Sequence, residues 1–178
     1  MMSSLSLSSK SETIANLATT VVAVLISAVL VKTYFLPASS PRVASIPQAT
    51  SVGANLKSQI PGVDWKANGR TLVLAISTQC HFCTESAPFY RKVRQEVGKN
   101  VKIVAVLPQT IDQGKQYLET GGVAVDQIKQ ASLASVGVQG TPTMFLVNNS
   151  GVVTKVWVGK LDSQGENQVI TELRSGHS

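Results

Sequence analysis

The chain's only two cysteines stand three apart, as Cys80-His81-Phe82-Cys83. Two thiols at that spacing in the first turn of a helix can close a short disulfide ring. The run follows a continuous apolar segment, Thr71 to Ile76, and precedes an apolar pattern of helical period that carries Phe89, Val93 and Val97. Cys80 therefore falls at a helix start, where unpaired N–H groups and the helix dipole favour a thiolate. A thiol of lowered pKa is both a ready nucleophile and a good leaving group, as dithiol–disulfide exchange requires. A protonated His81 would add positive charge beside that sulfur. A structural disulfide, or half of an intermolecular metal site, would also use two cysteines. Neither calls for this position between strand and helix.

A second signal is Gly140-Thr141-Pro142-Thr143, which comes just before the apolar run Thr143 to Val147. A trans proline would disturb strand entry there, and a cis Thr141-Pro142 bond suits a close approach of this loop to another part of the chain. An ordinary turn is the competing reading.

The elements that must hold these residues follow from the periodicity. Val63-Asp64-Trp65 before Asn68-Gly69 reads as a short strand and turn. Residues 71–76 and 101–107 read as strands covered on both faces. Residues 83–97 read as one helix, 111–120 as a second, 126–135 as a short third and 164–174 as a closing helix. Residues 143–147 and 152–158 form a hairpin about Asn148-Asn149-Ser150-Gly151. Strands alternating with helices before a terminal hairpin describe a mixed α/β sandwich. Trp65 and Trp157 read as packing residues, and Met144 and Phe145 belong to a buried strand.

Upstream, Thr13 to Val31 carries no charge. As a helix these residues reach about 28 Å at ~1.5 Å each, close to the hydrocarbon thickness of a bilayer. Tyr34 and Phe35 follow like an interfacial belt, and Pro37 stops the helix. The expected organisation is a tail over 1–12, a transmembrane anchor over 13–36, a flexible Pro/Ser/Ala-rich tether over 37–58 and a folded domain over 59–178. A cleaved signal peptide is the alternative to the anchor, although its apolar region is usually shorter. Lys10 before the span against Lys32 and Arg42 after it leans by one residue against export of the domain, whereas dithiol chemistry favours an extracytoplasmic site.

Composition bounds the rest. With 43% hydrophobic and 15% charged residues, wholesale disorder is excluded. The net charge of +6 comes from scattered basic residues. The densest group, Arg91, Lys92 and Arg94, is broken by Val93 and followed by Glu96, the pattern of a solvated helix face and not of a nucleic-acid interface.

Together these motifs resemble the thioredoxin-like superfamily: a strand, CxxC at a helix start, Pro88 five residues past the second cysteine, and Gly-Thr-Pro-Thr before the penultimate strand. The Val63–Gly69 preface and the Gly137–Val147 stretch look most like its membrane-anchored redoxin branch, the TlpA type. The resemblance covers roughly residues 53 to 175. It implies a central mixed sheet flanked by helices and a thiol–disulfide oxidoreductase. Cys80 would attack, Cys83 would resolve, and Pro142 in cis would face the disulfide. Thr141 would offer backbone hydrogen bonds to an extended substrate, with His81 and Phe82 as the supporting dipeptide. Partners would be protein thiols or disulfides and an electron donor or acceptor. No organic cofactor and no metal is implied.

The departures are specific. Gln79 stands where the family usually has Trp, and Leu74 where thioredoxin carries a buried acid, so the proton of Cys83 must leave by another route. Glu85 could replace that acid, or could simply be a solvated helix residue. The His-Phe dipeptide is neither the Gly-Pro of thioredoxin nor the Pro-His of DsbA, which leaves redox poise and direction of exchange open. A peroxiredoxin-like peroxidase would need a Pro-x-x-x-Thr-x-x-Cys pattern ending at its reactive cysteine, which the residues before Cys80, with Leu74 and Ser77, do not give. A Cu(I)-delivering or partner-binding module without turnover is a further alternative. For copper delivery, His177 is poorly placed as the additional ligand.

Overall fold

Alternation along the first strand sets the layers. In the computed structural model, which describes residues 50–175, β1 (Thr71–Ala75) sends Leu72 and Leu74 to one face and Val73 and Ala75 to the other. All five residues are buried, as expected of a central strand. β1 pairs in parallel with β2 (Lys102–Leu107) and antiparallel with β4 (Thr143–Val147). β3 (Gln127–Gln130) flanks β2 and β5 (Val153–Val158) flanks β4, giving the order β3-β2-β1-β4-β5. The fold is thioredoxin-like: a mixed five-stranded sheet with helices packed against it.

Phe89, Val93 and Val97 of α3 (Ala87–Val97), with Val169, Ile170 and Leu173 of α5 (Ser163–Ser175), cover the face that bears Leu72 and Leu74. Leu118 of α4 (Ile111–Thr120) joins the same core. Trp65, at the start of α1 (Trp65–Asn68), covers the opposite face together with Leu56, Ile60, Val136 and Val138.

Four sequence expectations change here. The tether expected to run to residue 58 ends earlier, because Leu56 is fully buried. Gly53 N donates to Val153 O and Leu56 N to Gly151 O, each at 2.8 Å, so this stretch is built onto the hairpin. Gly151 permits the approach. Its φ is +72°, and a Cβ there would meet Lys57 Cγ at 2.8 Å. The Pro/Ser/Ala-rich composition of this stretch suggested a linker, but Leu56 and Ile60, four apart, join Trp65, Val136 and Val138 in covering a sheet face.

Residues 63–65 do not form a strand. Asp64 Oδ1 accepts from Ala67 N at 3.0 Å and caps α1, which Gly69 ends. The single helix expected over 83–97 is two, α2 (His81–Glu85) and α3, joined at Ser86. Pro88 lacks the N–H that would bond Thr84 O, so the ladder is interrupted there. Residues 126–135 supply β3 rather than a helix. The exposed edge of β2 requires a partner for its backbone groups, and that requirement overrides helix propensity.

The span expected over 13–36 lies outside the described residues. Among the described residues no helix is long and apolar enough to cross a membrane.

Candidate dithiol site

The sheet register brings the two sequence signals together. Ala75 is paired with Thr143, so the loop leaving β1 and the loop entering β4 emerge side by side at one end of the sheet. The first carries Cys80, the second Thr141 and Pro142. The Thr141-Pro142 bond is cis. Thr141 O lies 3.3 Å from Cys80 Sγ and accepts from its thiol. Pro142 O accepts from Gly159 N at 2.7 Å, and Thr143 Oγ1 donates to Gly140 O at 2.7 Å, which tie the loop to β5 and to itself.

Cys80 is the N-cap of α2, in extended conformation, and its sulfur accepts from Cys83 N at 3.1 Å. Both cysteines are free thiols. Their environments differ sharply. Cys80 is partly exposed, while Cys83, one helical turn on, is buried. Burial pushes the Cys80 thiol up, but hydrogen bonds from the Cys83 and Thr141 side chains and from the Cys83 and Phe82 backbone outweigh it, leaving Cys80 below the ordinary thiol range. Burial pushes the Cys83 thiol up to about 12, reinforced by the hydrogen bond and charge of Cys80.

The supporting dipeptide points outward. Phe82 is an exposed large apolar side chain, its ring centroid 5.8 Å from that of His81. His81 is paired along its own helix, i to i+4. Its Nε2 meets Glu85 Oε1 at 3.1 Å on the solvent side, and Glu85 Oε2 also accepts from Lys160 Nζ at 2.9 Å. The Lys160 hydrogen bond holds the Glu85 carboxyl below its usual range. This carboxylate is a solvated helix residue and does not stand in for the acid missing at Leu74. His177 lies outside the described residues.

Two further features were not anticipated from sequence. Gln109, just after β2, donates from Nε2 to Ser77 Oγ at 3.0 Å and accepts from Thr78 N at 3.4 Å, bracing the loop that leads to Cys80. Behind Cys83 lies a mostly apolar cavity of about 280 Å³ whose wall includes Ile76, Tyr90, Tyr117 and Leu118. Cys83, Ala87 and Tyr90 follow an i, i+4, i+7 pattern, so the contribution of Tyr90 was legible as a helix face. That of Tyr117 had no sequence signal. A larger depression of about 760 Å³, bounded by Lys155, Trp157, Asn167 and Glu172, contains none of these groups.

A polarised dithiol facing a Thr-Pro loop on this sheet defines a thioredoxin-like protein. Residues 44–172 match the Redoxin family model, and the chain belongs to that family. No curated protein matches it in sequence. Among solved structures it is similar to a protein assigned as thiol:disulfide interchange protein DsbE from Chlorobium tepidum, with TM-score 0.54 and 19% identity over 70% of this chain and 99% of that one. It is also similar to a thiol-disulfide isomerase from Corynebacterium glutamicum, with TM-score 0.52 and 14% identity over 74% and 97%. A thiol:disulfide interchange protein from Bacteroides sp. gives TM-score 0.51 and 18% identity over 74% and 96%.

Proposed function

We propose that this protein is a membrane-anchored thiol–disulfide oxidoreductase acting on protein thiols or disulfides through Cys80 and Cys83, with the redox domain outside the cytoplasm. The observation that carries this reading is the asymmetry of the pair. The accessible sulfur sits at a helix N-cap and is biased towards thiolate, and the other is buried and held as a thiol. Cys80 attacks a partner disulfide, a mixed disulfide forms, and Cys83 displaces the partner. The 140–142 loop, whose Thr141 O lies against Cys80 Sγ, supplies backbone contacts for an extended partner segment, and the exposed Phe82 side chain supplies an apolar one. An electron donor or acceptor completes the cycle. The apolar run from Thr13 is proposed as the anchor.

The test is trapping. Cys83→Ser leaves the mixed disulfide without its resolving thiol, so partner proteins are expected to accumulate on Cys80 as adducts released by reductant. Cys80→Ser is expected to trap few or none. Equal trapping by the two variants would show that the assignment of attacker and resolver is wrong.

A further inference from the structure

The loop that leaves β1 is held as a turn by its own backbone and by one side chain from the neighbouring strand end. Ser77 is its hub. Ser77 O accepts from Cys80 N at 3.1 Å, and Ser77 Oγ accepts from Gln79 N at 3.3 Å. Gln109 closes the turn from outside with both ends of its amide. Its Nε2 donates to Ser77 Oγ at 3.0 Å, and its Oε1 accepts from Thr78 N at 3.4 Å. β1 and β2 are paired side by side, so this amide spans the two strand ends. The same turn also meets the second thiol. Cys83 is buried in the core that holds Leu74, where a thiolate is costly unless hydrogen bonds reach it. Its sulfur accepts a hydrogen bond from the Ser77 backbone, first among the contacts that favour its thiolate, with Thr141 next.

We infer that Gln109 is a positioning residue for the resolving thiol: by holding Ser77 and Thr78 it keeps the Ser77 N–H against Cys83 Sγ, where negative charge must be stabilised in both directions of exchange. The inference rests on the exchange activity proposed above. In the resolving step Cys83 gives its proton to a solvent base, and its sulfur bonds to Cys80 Sγ as the bond from Cys80 to the partner breaks. The partner's sulfur leaves as a thiolate with the electron pair, so the Cys80–Cys83 pair is oxidised and the partner reduced. In the reverse step a partner thiolate attacks Cys80 Sγ, and Cys83 Sγ leaves with the electron pair and then takes up a proton. Cys83 passes through its thiolate in both directions, and the Ser77 N–H meets that thiolate in both. Gln109 acts through the Ser77 turn.

Gln109→Met keeps the reach of the side chain and removes both hydrogen bonds. The probe is 5,5′-dithiobis(2-nitrobenzoate), which releases one coloured thiolate when Cys80 attacks and a second when Cys83 closes the disulfide. The first phase is expected to be unchanged, because Cys80 Sγ has its own contacts with Cys83 N and Thr141 O. Loss of one hydrogen bond to a charged sulfur lowers the Cys83 thiolate fraction by about tenfold. The greater nucleophilicity of the more basic sulfur returns about threefold, so the second phase should slow by about three- to fourfold. Reduction of the preformed disulfide by dithiothreitol should slow by the same factor, and the equilibrium of the pair with glutathione should stay at its native position. A brace that only stabilised one redox state would move that equilibrium. Ser77→Ala removes the anchor of Gln109 and keeps the N–H. It should slow the second phase in the same sense, and the double variant should slow by less than the product of the two. Ser77→Ala also provides the test if Gln109→Met does not fold. A second phase equal to that of the native chain in a folded variant, or equal slowing of both phases, would overturn the inference. Failure of the parent reading looks different, because the native chain itself would then release only the first thiolate.

Discussion

The opposed environments of the two thiols predict which sulfur a small electrophile finds first. At pH 7 a thiol held at about 12 is ionised to roughly one part in 10⁵. One at the ordinary value of 9.0 is ionised to about one part in 10², and Cys80 lies below that value, so it exceeds this fraction. The thiolate ratio is therefore at least ~10³ in favour of Cys80. Intrinsic nucleophilicity works the other way, with a Brønsted slope of ~0.4–0.5, and returns about 15- to 30-fold to Cys83. The net preference for Cys80 is at least about 30-fold before the burial of Cys83 is counted. The assay is alkylation of the reduced protein with substoichiometric iodoacetamide, followed by peptide mass spectrometry. A depressed pKa keeps the thiolate present to lower pH. The Cys80 rate should therefore level off at a pH below that of the same cysteine in denaturant, where both thiols react alike. Comparable labelling of the two cysteines in the folded protein would refute the reasoning, since it would mean that neither the N-cap position nor burial separates them.

Two further outcomes follow from the N-terminal part of the chain. Leu56→Ala is expected to cost about 2–4 kcal/mol in denaturant unfolding, because Leu56 is fully buried against the second sheet face; a change within the scatter of surface substitutions would return residues 50–58 to the tether. If Thr13 to Val31 spans the bilayer, the full chain should stay with membranes through carbonate extraction and a chain starting at Thr50 should be soluble; recovery of the full chain in the soluble fraction, shortened at its N-terminus, would replace the anchor with a cleaved signal.

Most of the fold was legible where one periodicity dominated. The runs 71–76, 101–107 and 143–147 are apolar but for Thr71, Lys102 and Thr143, and each supplied a strand buried on both faces apart from Lys102. Residues 111–120 formed the expected helix with a capping box, Thr110 and Gln113, at its start. The misread segments were those decided by tertiary partners. Residues 127–130 carry good helix formers, yet the open edge of β2 takes them as a strand, with Asp126 Oδ2 accepting from Ile103 N at 2.7 Å to set the entry. Asp64 was a readable N-cap, and the apolar residues on either side of it masked the signal. At the site, CxxC and Gly-Thr-Pro-Thr were visible as motifs. That Thr141 O would lie against Cys80 Sγ depended on a strand register that no local pattern encodes.

That register also bears on why the dithiol is asymmetric. β1 delivers the chain to the sheet end, where Gln109 braces the loop and Cys80 is left at the rim as the first residue of a turn. One turn later the helix has rotated inward, so Cys83 joins the core that holds Leu74 and Met144. The same three-residue step therefore places one sulfur among N–H donors and the other among aliphatic side chains. In water the two thiols would be nearly equivalent. Here helix periodicity, with the Thr141 loop set against Cys80, gives them opposite environments, and with those the separate roles of attacker and resolver proposed for them. A buried resolver must still lose a proton, and Leu74 offers no carboxylate to take it. The cavity at its back is lined by Thr84, Tyr90, Arg91, Tyr117 and Thr120 among apolar residues, and by no carboxylate, so the cost of that proton falls on the resolving step and not on the first attack.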